Sequence, residues 1–296
     1  MLTHDPATLE FYTAPTTMTS AGRYSSLFET LPRDVSALAA IGQGLLIHEH
    51  IALAYGVTLT DEDRDSVHVR PVEQLLERIV ARDDRPLGVS RPVADRVAGN
   101  CRHFTVLMVA MLRSQGTPAR ARCGFGGYFV DGLFEDHWVC EYWHAGLKRW
   151  MLVDAQIDDK QRDMFPIDFD LTDVPRDRFL IAGDAWARCR AGAADPQAFG
   201  LSILNEAGYW WIAGNLMRDV AALGNTELLP WDCWGAMPRP GEEIGDDLAA
   251  QFDHLAALTR TPDAAFDELR KLSQDDERIR VPAAVYNAVR DRSEAI

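Results

Sequence analysis

The chain has 296 residues, 47% of them hydrophobic and 25% charged, a balance that predicts a packed, water-soluble protein. Its 30 basic and 45 acidic residues give a formal net charge of −15. That field repels phosphate backbones and anionic lipid headgroups, which argues against nucleic acid and membrane surfaces as partners. Five widely spaced cysteines, Cys101, Cys123, Cys140, Cys189 and Cys233, contain no CxxC pair and predict free thiols in a reducing cytoplasm.

The opening residues Met1 to Pro6 carry no basic region followed by an apolar run, so neither export nor membrane insertion is expected. The greasiest later stretch, Leu45 to Tyr55, is interrupted by His48-Glu49-His50. No linker, low-complexity tract or repeat divides the chain. Changes of pattern predict a helical N-terminal portion over 1–95, a core over 96–170 and a mainly helical portion over 171–296, packed as one unit. From Asp34 to Tyr55, Leu38, Ile41, Leu45 and Ala52 recur at helical spacing with His48 on the same stripe, which reads as a satisfied core histidine. His48 and His50 lack the four-residue spacing that would let one helix face ligate a metal. A second helix opens at Pro71 and turns Val72, Leu75, Leu76, Ile79 and Val80 inward, opposite Glu73, Glu77 and Arg78.

Between Asn100 and Gly116, the residues Phe104, Leu107, Met108, Met111 and Leu112 trace one apolar helical face. Asn100 suits an N-cap and Gly116 the position just past the end, so Cys101 becomes the first helical residue. There the helix dipole and unpaired N–H groups favour thiolate, which predicts a lowered Cys101 pKa and singles it out among the five. From Thr117 the texture becomes short β-prone runs broken at Gly126-Gly127, Asp131-Gly132 and Ala145-Gly146. A hairpin of Glu135 to Trp143 and Leu147 to Asp154, turning on Ala145-Gly146, would set His137 directly across from Asp154. His137 could then serve as base to the Cys101 thiol while Asp154 fixes its tautomer. Glu141, on the same face, is either polar support or exposed.

Beyond Asp170 helical patterning returns in Ala207 to Ala222, and again around Leu248, Phe252 and Leu255. Two short segments open at Pro262 and Pro282, with Phe266, Leu269 and Leu272, then Val285 and Val289, facing inward, so the chain is expected to end helical. Trp210-Trp211 and Trp231-x-x-Trp234 read as core aromatics ahead of a cleft lining.

Three blocks carry a family resemblance: Gly99-Asn100-Cys101-Arg102-His103-Phe104; Leu112-Arg113-Ser114-Gln115-Gly116-Thr117-Pro118-Ala119-Arg120; and His137-Trp138 followed by Trp150-Met151-Leu152-Val153-Asp154. In this order they resemble the transglutaminase-like superfamily over about Val97 to Ile157. The resemblance implies an α+β, papain-like core, a central helix against a small antiparallel sheet, with mainly helical N- and C-terminal extensions. It also implies thiol-dependent amide chemistry with Cys101, His137 and Asp154 as catalytic residues. The chain departs from relatives that place a tryptophan or glutamine shortly before the cysteine: its first tryptophan is Trp138, and Gln43 and Gln74 are distant in sequence. The Cys101 backbone N–H is therefore the one oxyanion donor the sequence names. The expected activity is a cysteine-dependent amide or thioester hydrolase working through an acyl-enzyme on Cys101, with a peptide, amide or thioester substrate left unidentified and the oligomeric state open. An acyltransferase or transglutaminase passing the acyl group to an amine is the alternative, and a noncatalytic binding scaffold the competitor from another class. No cofactor and no metal are expected, since Cys101, His103, Cys123 and His137 lack zinc-ligand spacing.

Overall fold

The computed structural model describes residues 5–296. Met1 to His4, which enter the reading of the N-terminus, lie outside the described residues. The first part of the chain forms α1 (Pro6–Phe11), α2 (Val35–Leu45), β1 (Leu46–His48), α3 (Asp61–Ser66), α4 (Val72–Arg82) and β2 (Val97–Gly99). The middle forms α5 (Cys101–Ser114), β3 (Ala119–Gly126), β4 (Phe134–His144), β5 (Arg149–Val153) and α6 (Asp159–Met164). There follow β6 (Phe179–Ile181), α7 (Ala182–Arg190), β7 (Phe199–Leu201), β8 (Glu206–Ala207) and α8 (Tyr209–Leu223). Then come β9 (Asp232–Cys233), α9 (Asp246–Arg260), α10 (Phe266–Asp275), β10 (Ala284–Asn287) and β11 (Arg292–Ala295).

The main sheet runs β6-β3-β4-β7-β8, with β5 also paired to β4. Its pairs are antiparallel except where Phe134 and Glu135 run parallel to Phe199 and Gly200. On one side, Phe104, Leu107, Met108, Met111 and Leu112 of α5 pack with Ala121, Cys123, Trp138 and Cys140 of the sheet and with residues of α2 and α4. Those five α5 side chains are each at most 2% exposed, a burial that contributes on the order of 10 kcal/mol. A second cluster joins Phe125 and Phe199 of the sheet to α7, α8 and α9 through Trp186, Ile212, Leu216 and Phe252. This α+β arrangement of a central helix against a sheet is the one the resemblance implies.

Two elements differ from expectation. The helix expected through Tyr55 stops at Leu45, and Leu46–His48 instead pair parallel with Val97–Gly99. Gly42 and Gly44 weaken the last helical turn, and a strand pairing across fifty residues leaves no mark on local periodicity. His48 thus leaves the helical stripe. After Pro282 the chain forms a β10–β11 hairpin that pairs with β9, not a helix. Val285 and Asn287 are buried while Tyr286 between them is exposed, the two-residue period of a strand, and Val289 is 64% exposed at the turn.

Candidate active site

The turn that carries Cys101 is fixed from several sides. Asn100 has extended backbone and donates its N–H to His103 Nδ1 at 3.1 Å, while His103 Nε2 meets the Val69 carbonyl at 2.9 Å. His103 is therefore neutral, with its proton on Nε2. Burial, with the Arg102 cation beside it, pulls its pKa down to about 3. A Cβ on Gly99 would lie 3.0 Å from His103 Cβ, so a side chain at 99 would press on this lock. Arg102, fully buried, donates to the carbonyls of Arg70 at 2.6 Å and Glu227 at 3.1 Å.

Cys101 is 6% exposed, and the backbone N–H groups of Arg102 and of Trp138, the residue after His137, favour its thiolate. Burial pushes the thiol well above its ordinary value, and the nearby Asp136 and Asp154 carboxylates push the same way, against those two N–H groups. This overturns the lowered pKa expected from helix position. The helix terminus is present, but desolvation outweighs it.

The hairpin register also differs. β4 pairs with β5 as Cys140 to Val153 and His144 to Arg149, which leaves Ala145 to Lys148 as the loop, with Lys148 at φ 51°. The loop is two residues longer than expected, and Asp154 falls just beyond β5, diagonal to His137 rather than opposite it. An even offset leaves every side chain on its original face. Asp154 Oδ2 consequently still reaches His137 Nε2, at 2.8 Å. Opposite His137 on β3 stands Gly124, where a Cβ would strike the Leu180 carbonyl at 2.1 Å.

Asp154 is 1% exposed and also accepts from the Tyr128 hydroxyl at 2.8 Å on Oδ2 and the Gln156 N–H at 3.0 Å on Oδ1. Burial opposes its charge, but His137, Tyr128 and the Gln156 N–H prevail and hold the carboxyl below its ordinary value. Tyr128 and Phe129 stand edge-on to the His137 ring, with centroids at 6.0 and 4.9 Å. With Nε2 engaged by Asp154, the ring nitrogen open to proton exchange is Nδ1. Tyr128 escapes sequence reasoning because it follows the Gly126-Gly127 turn with no local pattern pointing at Asp154.

His48 lines a narrow cleft with Gln43, Phe104 and Gln156. Trp234 lies in the buried cluster of α7, α8 and α9 and Trp211 packs against it, as core aromatics; Trp211 Nε1 donates to Asp136 at 2.7 Å, Trp231 packs on His68, and Trp234 Nε1 donates to the Ile279 carbonyl. Glu141 is buried under Arg120, Arg122 and Arg176. Among the described residues no group of three or more His, Cys, Asp or Glu side chains gathers as metal ligands.

Residues 54–155, which include Cys101, His137 and Asp154, match the family described as the transglutaminase-like superfamily. The segment is similar to a transglutaminase-like core. The match supports a cysteine-dependent enzyme at the level of the family. The chain is also similar, at 17% identity and a TM-score of 0.33, to a solved structure from Cytophaga hutchinsonii described as a candidate cysteine protease. The alignment covers 60% of this chain and 46% of that one, so this chain spans less than half of that neighbour's length. No curated protein matches. Among the described residues no helix is long and apolar enough to cross a membrane.

Proposed function

We propose that this transglutaminase-like core is a thiol-dependent amide or thioester hydrolase working through an acyl-enzyme on Cys101. The observation that carries the reading is the 2.8 Å contact between His137 Nε2 and Asp154 Oδ2, set beside the helix turn that bears a buried thiol. In this reading His137 Nδ1 takes the Cys101 proton as sulfur attacks the carbonyl carbon, then returns it to the leaving amine or thiolate. Asp154 holds the tautomer and balances the imidazolium that forms.

One observation favours acyl transfer to an amine as the second reading. Cys101, His137 and Asp154 are 6%, 2% and 1% exposed, and water exclusion lengthens the life of an acyl-enzyme. The test is mass spectrometry after mixing the protein with p-nitrophenyl acetate. An acetyl adduct on the Cys101 peptide, absent from Cys101→Ala, is expected; equal adducts at other sites in both proteins would remove Cys101 from the mechanism. Adding methylamine then separates the readings, since free acetate marks hydrolysis and N-methylacetamide marks transfer.

A further inference from the structure

Attack on a carbonyl places a negative charge on its oxygen, and a single backbone N–H leaves that charge half-served. Parallel pairing sets His48 level with Gly99, two residues before Cys101, and the Glu49 N–H donates to the Gly99 carbonyl at 2.8 Å. Paired residues share a face, and the Gly99 face is the one that meets His103 of α5. The same alternation sends Leu46 into the α5 cluster and Ile47 to the opposite one. His48 therefore points toward the first turn of α5, and it lines the cleft together with Phe104 of that helix.

Its protonation suits a donor. The His50 N–H donates to His48 Nδ1 at 3.2 Å, which leaves the ring proton on Nε2. Burial, with His50, His137 and His103 nearby, keeps the imidazole well below its ordinary value and hence neutral. Gln43 lines the same cleft but commits its amide to the carbonyls of Ala155 at 3.4 Å and Ile157 at 3.0 Å. The Tyr55 hydroxyl is bonded to Asp158, and Gln156 Nε2 to Gln161.

We infer that His48 Nε2–H is the second oxyanion donor, acting with the Cys101 backbone N–H on the acyl oxygen of the substrate. The inference rests on the thiol reading above. In the step it serves, the sulfur lone pair forms the S–C bond and the C=O π pair moves onto oxygen, between the two N–H groups. When the pair returns, the bond to the leaving group breaks with its electrons, and His137 supplies the proton where the leaving group needs one. His48 keeps its own proton throughout.

The experiment compares two reactions of the same thiol: acylation by p-nitrophenyl acetate, read as the nitrophenolate burst, and alkylation by iodoacetamide, which develops no oxyanion. In His48→Phe the acylation rate should fall about 10²-fold or more relative to the alkylation rate. In His48→Gln, which restores an N–H at similar reach, the ratio should return to within about tenfold of wild type. Should His48→Phe fail to fold, His48→Leu removes the donor at smaller volume. An unchanged ratio in the Phe or Leu variant overturns the role of His48, as does a Gln variant that falls as far as either. A burst in Cys101→Ala equal to wild type instead overturns the thiol reading itself.

Discussion

Asp154 accepts three hydrogen bonds in a buried setting, and two of them, from His137 and Tyr128, converge on one oxygen. Tyr128 thus competes with the imidazole for the carboxylate and at the same time fixes where that carboxylate lies, which makes it a positioning residue. Asp154→Asn should leave folding nearly intact but cut acylation by about 10²- to 10⁴-fold, because the amide favours the other imidazole tautomer. Tyr128→Phe keeps the ring packing and removes one bond to a charged group, worth about 1.5–3 kcal/mol. Its acylation rate should drop roughly tenfold or more, and the proton resonance of His137 Nε2–H should move as Oδ2 turns wholly to the imidazole. An unmoved resonance would make the tyrosine plain packing. The head of an amphipathic helix betrays Cys101 in the sequence, and a strand-like run betrays His137. Tyr128 and His48 leave no such mark, since each acquires its partner only through chain distant from its own pattern.

At the level of elements, the hairpin shows which errors a sequence argument survives. A loop two residues longer than assumed moves every pairing, yet His137 and Asp154 stay on one face because side chains alternate with a period of two. An odd error would have separated them. The strands that local periodicity does not reveal have a common cause: β1 finds its partner fifty residues on, and β10 joins β9 across a similar span, so neither pairing is written in the residues beside it. The lock at the start of α5 makes its own prediction. The unfolded chain protonates His103 near 6.5, whereas the folded chain keeps it neutral down to about 3. Between these values the unfolded state binds more protons, so stability falls as pH drops, by up to about 1.4 kcal/mol per pH unit for this residue. His68, held down to about 4 mainly by burial, adds a slope of the same sign. Urea unfolding near pH 7, 6 and 5 should show this decline, and His103→Gln should unfold more easily but with a shallower dependence. A variant slope as steep as wild type would show that His103 is not the titrating group.

Across the whole molecule, the sheet is tied to its outer helices by charge. Arg122 of β3 donates to both carboxylate oxygens of Asp219 on α8, at 3.0 and 2.8 Å, and at 3.1 Å to Glu141, which also takes Arg120 at 2.6 Å. Arg120 continues to Asp263 at 2.6 Å. On this basis, and because Leu38, Leu45, Leu75 and Ile79 share a buried cluster with α5, we propose that the stretches 1–95, 96–170 and 171–296 unfold together. Calorimetry should record one transition, and two resolved transitions would refute the proposal. Arg122→Ala strands the buried Asp219 carboxylate and takes one of three arginines from Glu141, and should cost about 3–5 kcal/mol in urea unfolding. A loss under about 1 kcal/mol would mean that water reaches the site. Periodicity carries the position of α5, because that depends on local apolar spacing, while the α+β class is what the family resemblance implies. The ion network stays hidden, because nothing in the spacing of Arg120, Arg122 and Glu141 reveals that acids from residues 219 and 263 will meet them.

The support beneath Cys101 reaches further along the chain than the family-matched segment 54–155 does. Arg102 hangs on the carbonyl of Arg70, and the Arg70 guanidinium is gripped by Asp232 at 2.6 and 2.9 Å and by Glu294 at 3.1 Å. During synthesis the ribosome delivers Cys101, His137 and Asp154 long before either of those acids. The nascent chain would therefore carry all three residues while part of the support beneath Cys101 is still missing, so the chemistry proposed for the thiol would wait until Asp232 and Glu294 have both been made.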